Sequence, residues 1–120
     1  RKAISLAGRA LSDGDAMRQL GEGWVAEETL AIALYAVLRY SGDFRKAMIC
    51  AVNHDGDSDS TGAVAGNLLG ALVGTKAVEA AFDLERLELA GVLRILAADL
   101  SRCPLTRQPD AAWLQEYGGI

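Results

Sequence analysis

Apolar side chains recur at three- and four-residue intervals along almost the whole of this chain, and strand-like alternation is nearly absent. That period matches the α-helical turn and leaves no pattern for a sheet, so the expected fold class is all-α. Glycine, Asp and Pro punctuate it. Helices are predicted over 3–11, ended near Asp13-Gly14, then over 15–20, and over 25–40, stopped by Ser41-Gly42. Others follow over 43–52, 60–75, 77–82 and 84–101, with Pro104 just beyond, and from Pro109-Asp110 to Tyr117 before Gly118-Gly119. In the 25–40 segment Leu30, Ile32, Ala33, Leu34, Ala36, Val37 and Leu38 cover most of the circumference, which predicts a central helix. With no repeat or low-complexity tract, a single all-α bundle over 1–120 accounts for the pattern.

The 120 residues are 51% hydrophobic, enough for one domain with a core. A formal net charge of −4 argues against a nucleic-acid binder, which needs a basic face to neutralise phosphates, but not against a nucleotide in a local pocket. Cys50 and Cys103 lie far apart without a CxxC, and His54 is the single histidine, so no zinc set exists. The two thiols read as reduced, which predicts a cytoplasmic protein. The longest apolar stretch, 62–74, contains Asn67 and is shorter than the roughly 20 residues that span a bilayer, so no membrane partner is expected. The opening Arg1-Lys-Ala-Ile4 has no initiator Met and reads as a fragment or processed product.

Chemistry concentrates in Asp55-Gly-Asp-Ser-Asp-Ser-Thr61, just before an apolar helix. Three carboxylates so close are unfavourable unless something positive neutralises them. A helix N-terminus supplies about half a unit charge, and Ser60 or Thr61 is positioned to cap it. Carboxylate and hydroxyl oxygens also suit magnesium, manganese or calcium. An EF-hand starting at Asp55 fails, because Ser60 stands where Gly is needed and Gly66 where Glu is needed. A haloacid dehalogenase-type Asp-x-Asp-x-Thr fits the letters of 57–61, yet it should follow a buried strand, and Asn53-His-Asp-Gly56 is loop chemistry. Magnesium wants six oxygens and this loop offers two or three, so the site reads as incomplete. Glu27-Glu28, the nearest other acids, read as partners of a helix dipole, and His54 as a hydrogen-bonding brace.

Gly62, Gly66, Gly70 and Gly74 recur every four residues, each costing roughly 1 kcal/mol of helix propensity against alanine. The expected compensation is close approach of a neighbouring helix, holding the carboxylate loop on a rigid element. In Gly21-Glu22-Gly23-Trp24 the indole is either a partly buried staple or a platform for a ligand base.

Residues 21–35, Gly-Glu-Gly-Trp-Val-Ala-Glu-Glu-Thr-Leu-Ala-Ile-Ala-Leu-Tyr, followed by 51–71 with Asn-His-Asp-Gly-Asp-Ser-Asp-Ser-Thr-Gly, resemble the C-terminal half of ADP-ribosylglycohydrolases, including those that act on dinitrogenase reductase. The resemblance covers most of the chain and implies an all-α hydrolase with two magnesium or manganese ions beside the ribose of ADP-ribose. It carries Asp57, Asp59 and Ser60 over as metal ligands, Ser60 standing where many members have threonine. It carries Glu22, Gly23, Trp24 and Gly56 over as ligand-binding positions, Trp24 towards adenine. The family's other metal ligands and its acidic catalytic residue belong to an N-terminal segment with a Gly-Asp motif. No such segment occurs here, so no catalytic residue is assigned and the fragment is expected to be inactive alone. The implied partners are ADP-ribose or an ADP-ribosylated substrate and that N-terminal segment, without which the glycine stripe would favour self-association. The alternative within the fold is a non-catalytic ADP-ribose-binding or structural member, as a lens crystallin is.

Overall fold

The computed structural model describes residues 1–101 together with Ala111, Leu114 and Gln115. Every regular element among them is helical: α1 (Lys2–Ala7), α2 (Asp13–Leu20), α3 (Ala26–Arg39), α4 (Phe44–Val52), α5 (Ser58–Val73), α6 (Thr75–Ala81), a 3-10 turn Leu84–Arg86, and α7 (Ala90–Ser101). The chain forms two compact units, Arg1–Asp83 and Leu84–Ile120. No described helix is long and apolar enough to cross a membrane. The helix expected over 109–117, with Gly118-Gly119 behind it, falls largely outside the described residues, as do Cys103 and Pro104.

In the first unit α3 packs against α1, α2, α4 and α5, and α5 also lies along α4. The inward stripe of α3 is Ile32, Ala33, Tyr35, Ala36 and Val37, closed by Leu69 and Ala65 of α5 and Ala47 and Ala51 of α4. Small residues at these contacts bring the helices close, which is how nine-residue α4 finds a core partner. The central placement of α3 is seen, though Leu30 and Leu38 remain exposed, so one side of it is open.

Two expected boundaries shift for a local reason. α1 stops at Ala7, and Asp13-Gly14, expected to end a helix, opens α2 instead. Ser12 is the N-cap: its hydroxyl oxygen accepts the Asp15 amide at 3.1 Å. Asp43 caps α4 in the same way, accepting the Lys46 amide at 3.0 Å.

In the second unit the single helix expected over 84–101 is broken. Residue 89 is Leu with φ 59, a left-handed conformation at a non-glycine residue, and it separates the 3-10 turn from α7. None of the residues of α7 is buried.

Candidate functional site

Packing α3 along α5 brings together the two loops that precede them, residues 21–24 and 53–57. The join is backbone to backbone: the Asp57 amide donates to the Glu22 carbonyl at 2.7 Å. Gly56 makes this possible, because a Cβ there would fall on the Glu22 carbonyl itself. On the other side, Gly21 and Gly23 hold φ values of 121 and 83, conformations open mainly to glycine.

Glu28 fixes that first loop. Its Oε2 accepts both the Glu22 and the Gly23 amides, each at 3.1 Å. Thr29 completes the clamp by donating its hydroxyl to the Gly23 carbonyl at 2.7 Å. Both residues lie in the first turn of α3, so the loop is tied down by the helix that follows it. Sequence reading gave Glu28 only a dipole role; the signal that points further is a first-turn acid following a Gly-x-Gly turn.

The second loop is held by His54 and Thr61. The His54 ring accepts the Gly56 amide at Nδ1 at 3.1 Å, which leaves Nε2 to donate to the Thr61 hydroxyl at 2.9 Å. Thr61, fully buried, then directs its own proton to the Ala51 carbonyl at 2.8 Å. His54 is thus a brace, tying the loop to α5 and through Thr61 to the end of α4.

Asp57 is the N-cap of α5, its Oδ1 accepting the Ser60 amide at 3.3 Å. Neither Ser60 nor Thr61 caps the helix, contrary to the expectation; both lie inside it, which starts at Ser58. Contact with Asp59 is the largest influence holding Asp57 below the usual carboxylate range, followed by Ser60, with desolvation opposing. Asp57, Asp59 and Ser60 share the first turn of α5, and their oxygens are the donor type that a hard divalent cation takes. Among the described residues no group of three or more His, Cys, Asp or Glu side chains is placed to hold a metal ion by itself.

Trp24 is 68% exposed, so it is not a buried staple. It borders two open grooves. One, of about 530 Å³, is lined by Gly23, Trp24, Leu30, Asp57, Ser60 and Val64. The other, of about 660 Å³, is lined by Arg18, Glu22, Trp24, Asn53, His54 and Gly56, with exposed Asp55 at its edge. Both have the size of small-molecule sites. Glu22 is itself exposed, and its structural contribution is its backbone. The residue before Asp57 belongs to a bend after α4, not to a strand, which removes the haloacid dehalogenase reading.

A family model described as ADP-ribosylglycohydrolase matches residues 1–110. Comparison with curated proteins and with solved structures gave no match.

Proposed function

This chain belongs to the ADP-ribosylglycohydrolase family, and we propose that it supplies part of a binuclear magnesium or manganese centre that cleaves the glycosidic bond of ADP-ribose attached to protein or another acceptor. The observation that carries the reading is the placement of Asp57, Asp59 and Ser60 at the start of α5, with Asp57 and Ser60 lining the groove that Trp24 borders. In this reading Asp57 and Asp59 provide anionic oxygen and Ser60 a hydroxyl oxygen to the cation. The Trp24 indole, open to solvent at the loop tip, offers a flat apolar surface to the adenine ring. A magnesium or manganese ion held by Asp57, Asp59 and Ser60 would supply Lewis-acid chemistry for orienting the ribose hydroxyls and a water. The remaining ligands and the acid that assists proton transfer come from a preceding segment of the same protein, so the 120 residues alone are a poor enzyme.

Titrating the intact protein with magnesium and ADP-ribose tests the proposal, and it fails if neither binds. Asp57→Ala and Asp59→Ala are expected to abolish hydrolysis while leaving the helical circular dichroism intact; turnover by both variants would contradict the ligand role. ADP-ribose binding without hydrolysis by the intact protein would favour the non-catalytic member of the fold.

A further inference from the structure

The loop that carries Trp24 and the loop that carries Asp57 are joined through Glu22, and Glu22 is held by a residue from outside both loops. Glu28 Oε2 takes the amides of Glu22 and Gly23 together, at 3.1 Å each. The carboxylate reaches them because Gly21 has no side chain: a Cβ there would lie 2.6 Å from Glu28 Cγ and closer still to the carboxyl carbon. With its amide fixed on one face, the Glu22 peptide turns its carbonyl to the Asp57 amide at 2.7 Å. Asp57 is thereby constrained on its backbone at the residue whose side chain caps α5 by accepting the Ser60 amide. Without Glu28, two amides lose their acceptor, and the turn at positive φ loses the hydrogen bonds that keep it there.

We propose that Glu28 is a positioning residue for the carboxylate site: acting through the residue 21–24 turn and the Glu22–Asp57 peptide bond pair, it sets where the Asp57 carboxylate stands. The inference rests on the reading of Asp57 as a cation ligand, and it adds a residue that touches neither cation nor substrate. Because one oxygen accepts both amides, the bond pattern requires an acceptor and not a charge. Glutamine at position 28 can supply it; alanine cannot.

The test compares the intact wild-type protein with Glu28→Gln and Glu28→Ala by two readouts. The first is amide hydrogen exchange at Gly23 and Asp57. The second is manganese binding followed by the loss of the free-ion electron paramagnetic resonance signal. Glu28→Ala is expected to speed exchange at both amides at least tenfold and to weaken manganese binding about 10- to 100-fold, the range for residues that orient metal ligands. Glu28→Gln is expected to stay close to wild type in both. Unchanged exchange at Asp57 in Glu28→Ala overturns the proposal. So does faster exchange with manganese affinity unchanged, because the turn would then not govern the carboxylate. A wild-type protein that binds no manganese while Asp57 exchange still responds to Glu28→Ala overturns the cation reading and leaves Glu28 as the lock between the loops. If Glu28→Ala fails to fold, Glu28→Gln decides: manganese affinity lowered tenfold by that variant would mean that charge, not acceptance of the two amides, is what Glu28 contributes.

Discussion

Asp13 shows how much a single side chain can organise. Its two carboxylate oxygens accept the hydroxyls of Tyr35 at 2.7 Å and Tyr40 at 2.6 Å, and the Arg39 guanidinium lies 3.9 Å away. Arg39 also donates to the carbonyls of Ala7 and Arg9, so one cluster fastens α1, α2 and α3. Asp13→Ala leaves the hydroxyl of buried Tyr35 without an acceptor, and a loss of about 1–3 kcal/mol in urea unfolding is expected. Burial, then the bond to Asp13, raises the Tyr35 hydroxyl well above its ordinary 10.0. The folded state therefore holds that proton more tightly, and its contribution is intact below pH 10 and lost as pH climbs beyond it. Burial, with the Asp13 charge second, pushes the Cys50 thiol up to about 12. Cys50 should resist iodoacetamide at pH 8 in the native protein and react once urea exposes it; equal rates in both would contradict this packing. The Asp13 cluster could not be read from sequence, where Asp13 looked like a helix stop. Its partners lie 22 and 27 residues away and only the fold brings them together.

At the level of elements, the helical period was legible because it depends only on local spacing, and α3 and α4 fall within a residue or two of where that spacing predicts them. The glycine stripe of α5 was legible as a pattern but not as a cause, because a neighbour's approach is not written in the helix itself. The four glycines have separate reasons. At Gly62 a Cβ would meet Val52 Cγ1 at 2.7 Å, so α4 comes close there. Gly66 has ordinary room beside Met48, Gly70 has nothing within 4 Å, and Gly74 ends the helix at φ 75. Substitution should separate them. Gly62→Ala is expected to destabilise the protein by about 1–3 kcal/mol through overpacking. Gly70→Ala is expected to stabilise it by about 0.5–1 kcal/mol, since only helix propensity changes. Thermal unfolding of the two variants checks the contrast, and a matching loss in both would restore a continuous packing stripe.

For the molecule as a whole, buried packing is unevenly shared. The inward face of α3 is closed to solvent while α7 buries no residue, so native-state amide exchange is expected to be slow along α3 and fast along α7. Acid should act through three helix starts. Asp15, Asp43 and Asp57 are each held below the ordinary 3.8, Asp15 first by Ser12, Asp43 by the Lys46 amide and Asp57 by Asp59. The unfolded chain takes up those protons first, so their contribution is present above about pH 3.8 and lost as pH falls below it. Far-ultraviolet circular dichroism across pH 2–5 follows that loss. The candidate site divides along the same line between local and distant. Asp57, Asp59, Ser60 and Trp24 could be named from motif, whereas the backbone role of Glu22 could not, because peptide groups leave no trace in side-chain identity. That division has a consequence for how such a site can change. Residues 22 and 24 present exposed side chains from a turn whose aim is set by main-chain bonds and by glycines on either side. Their side chains can be exchanged without moving the carboxylates at 57 and 59. In the proposed reading this decouples recognition from coordination, and a library randomised at 22 and 24 is expected to search for new ligands on an undisturbed frame.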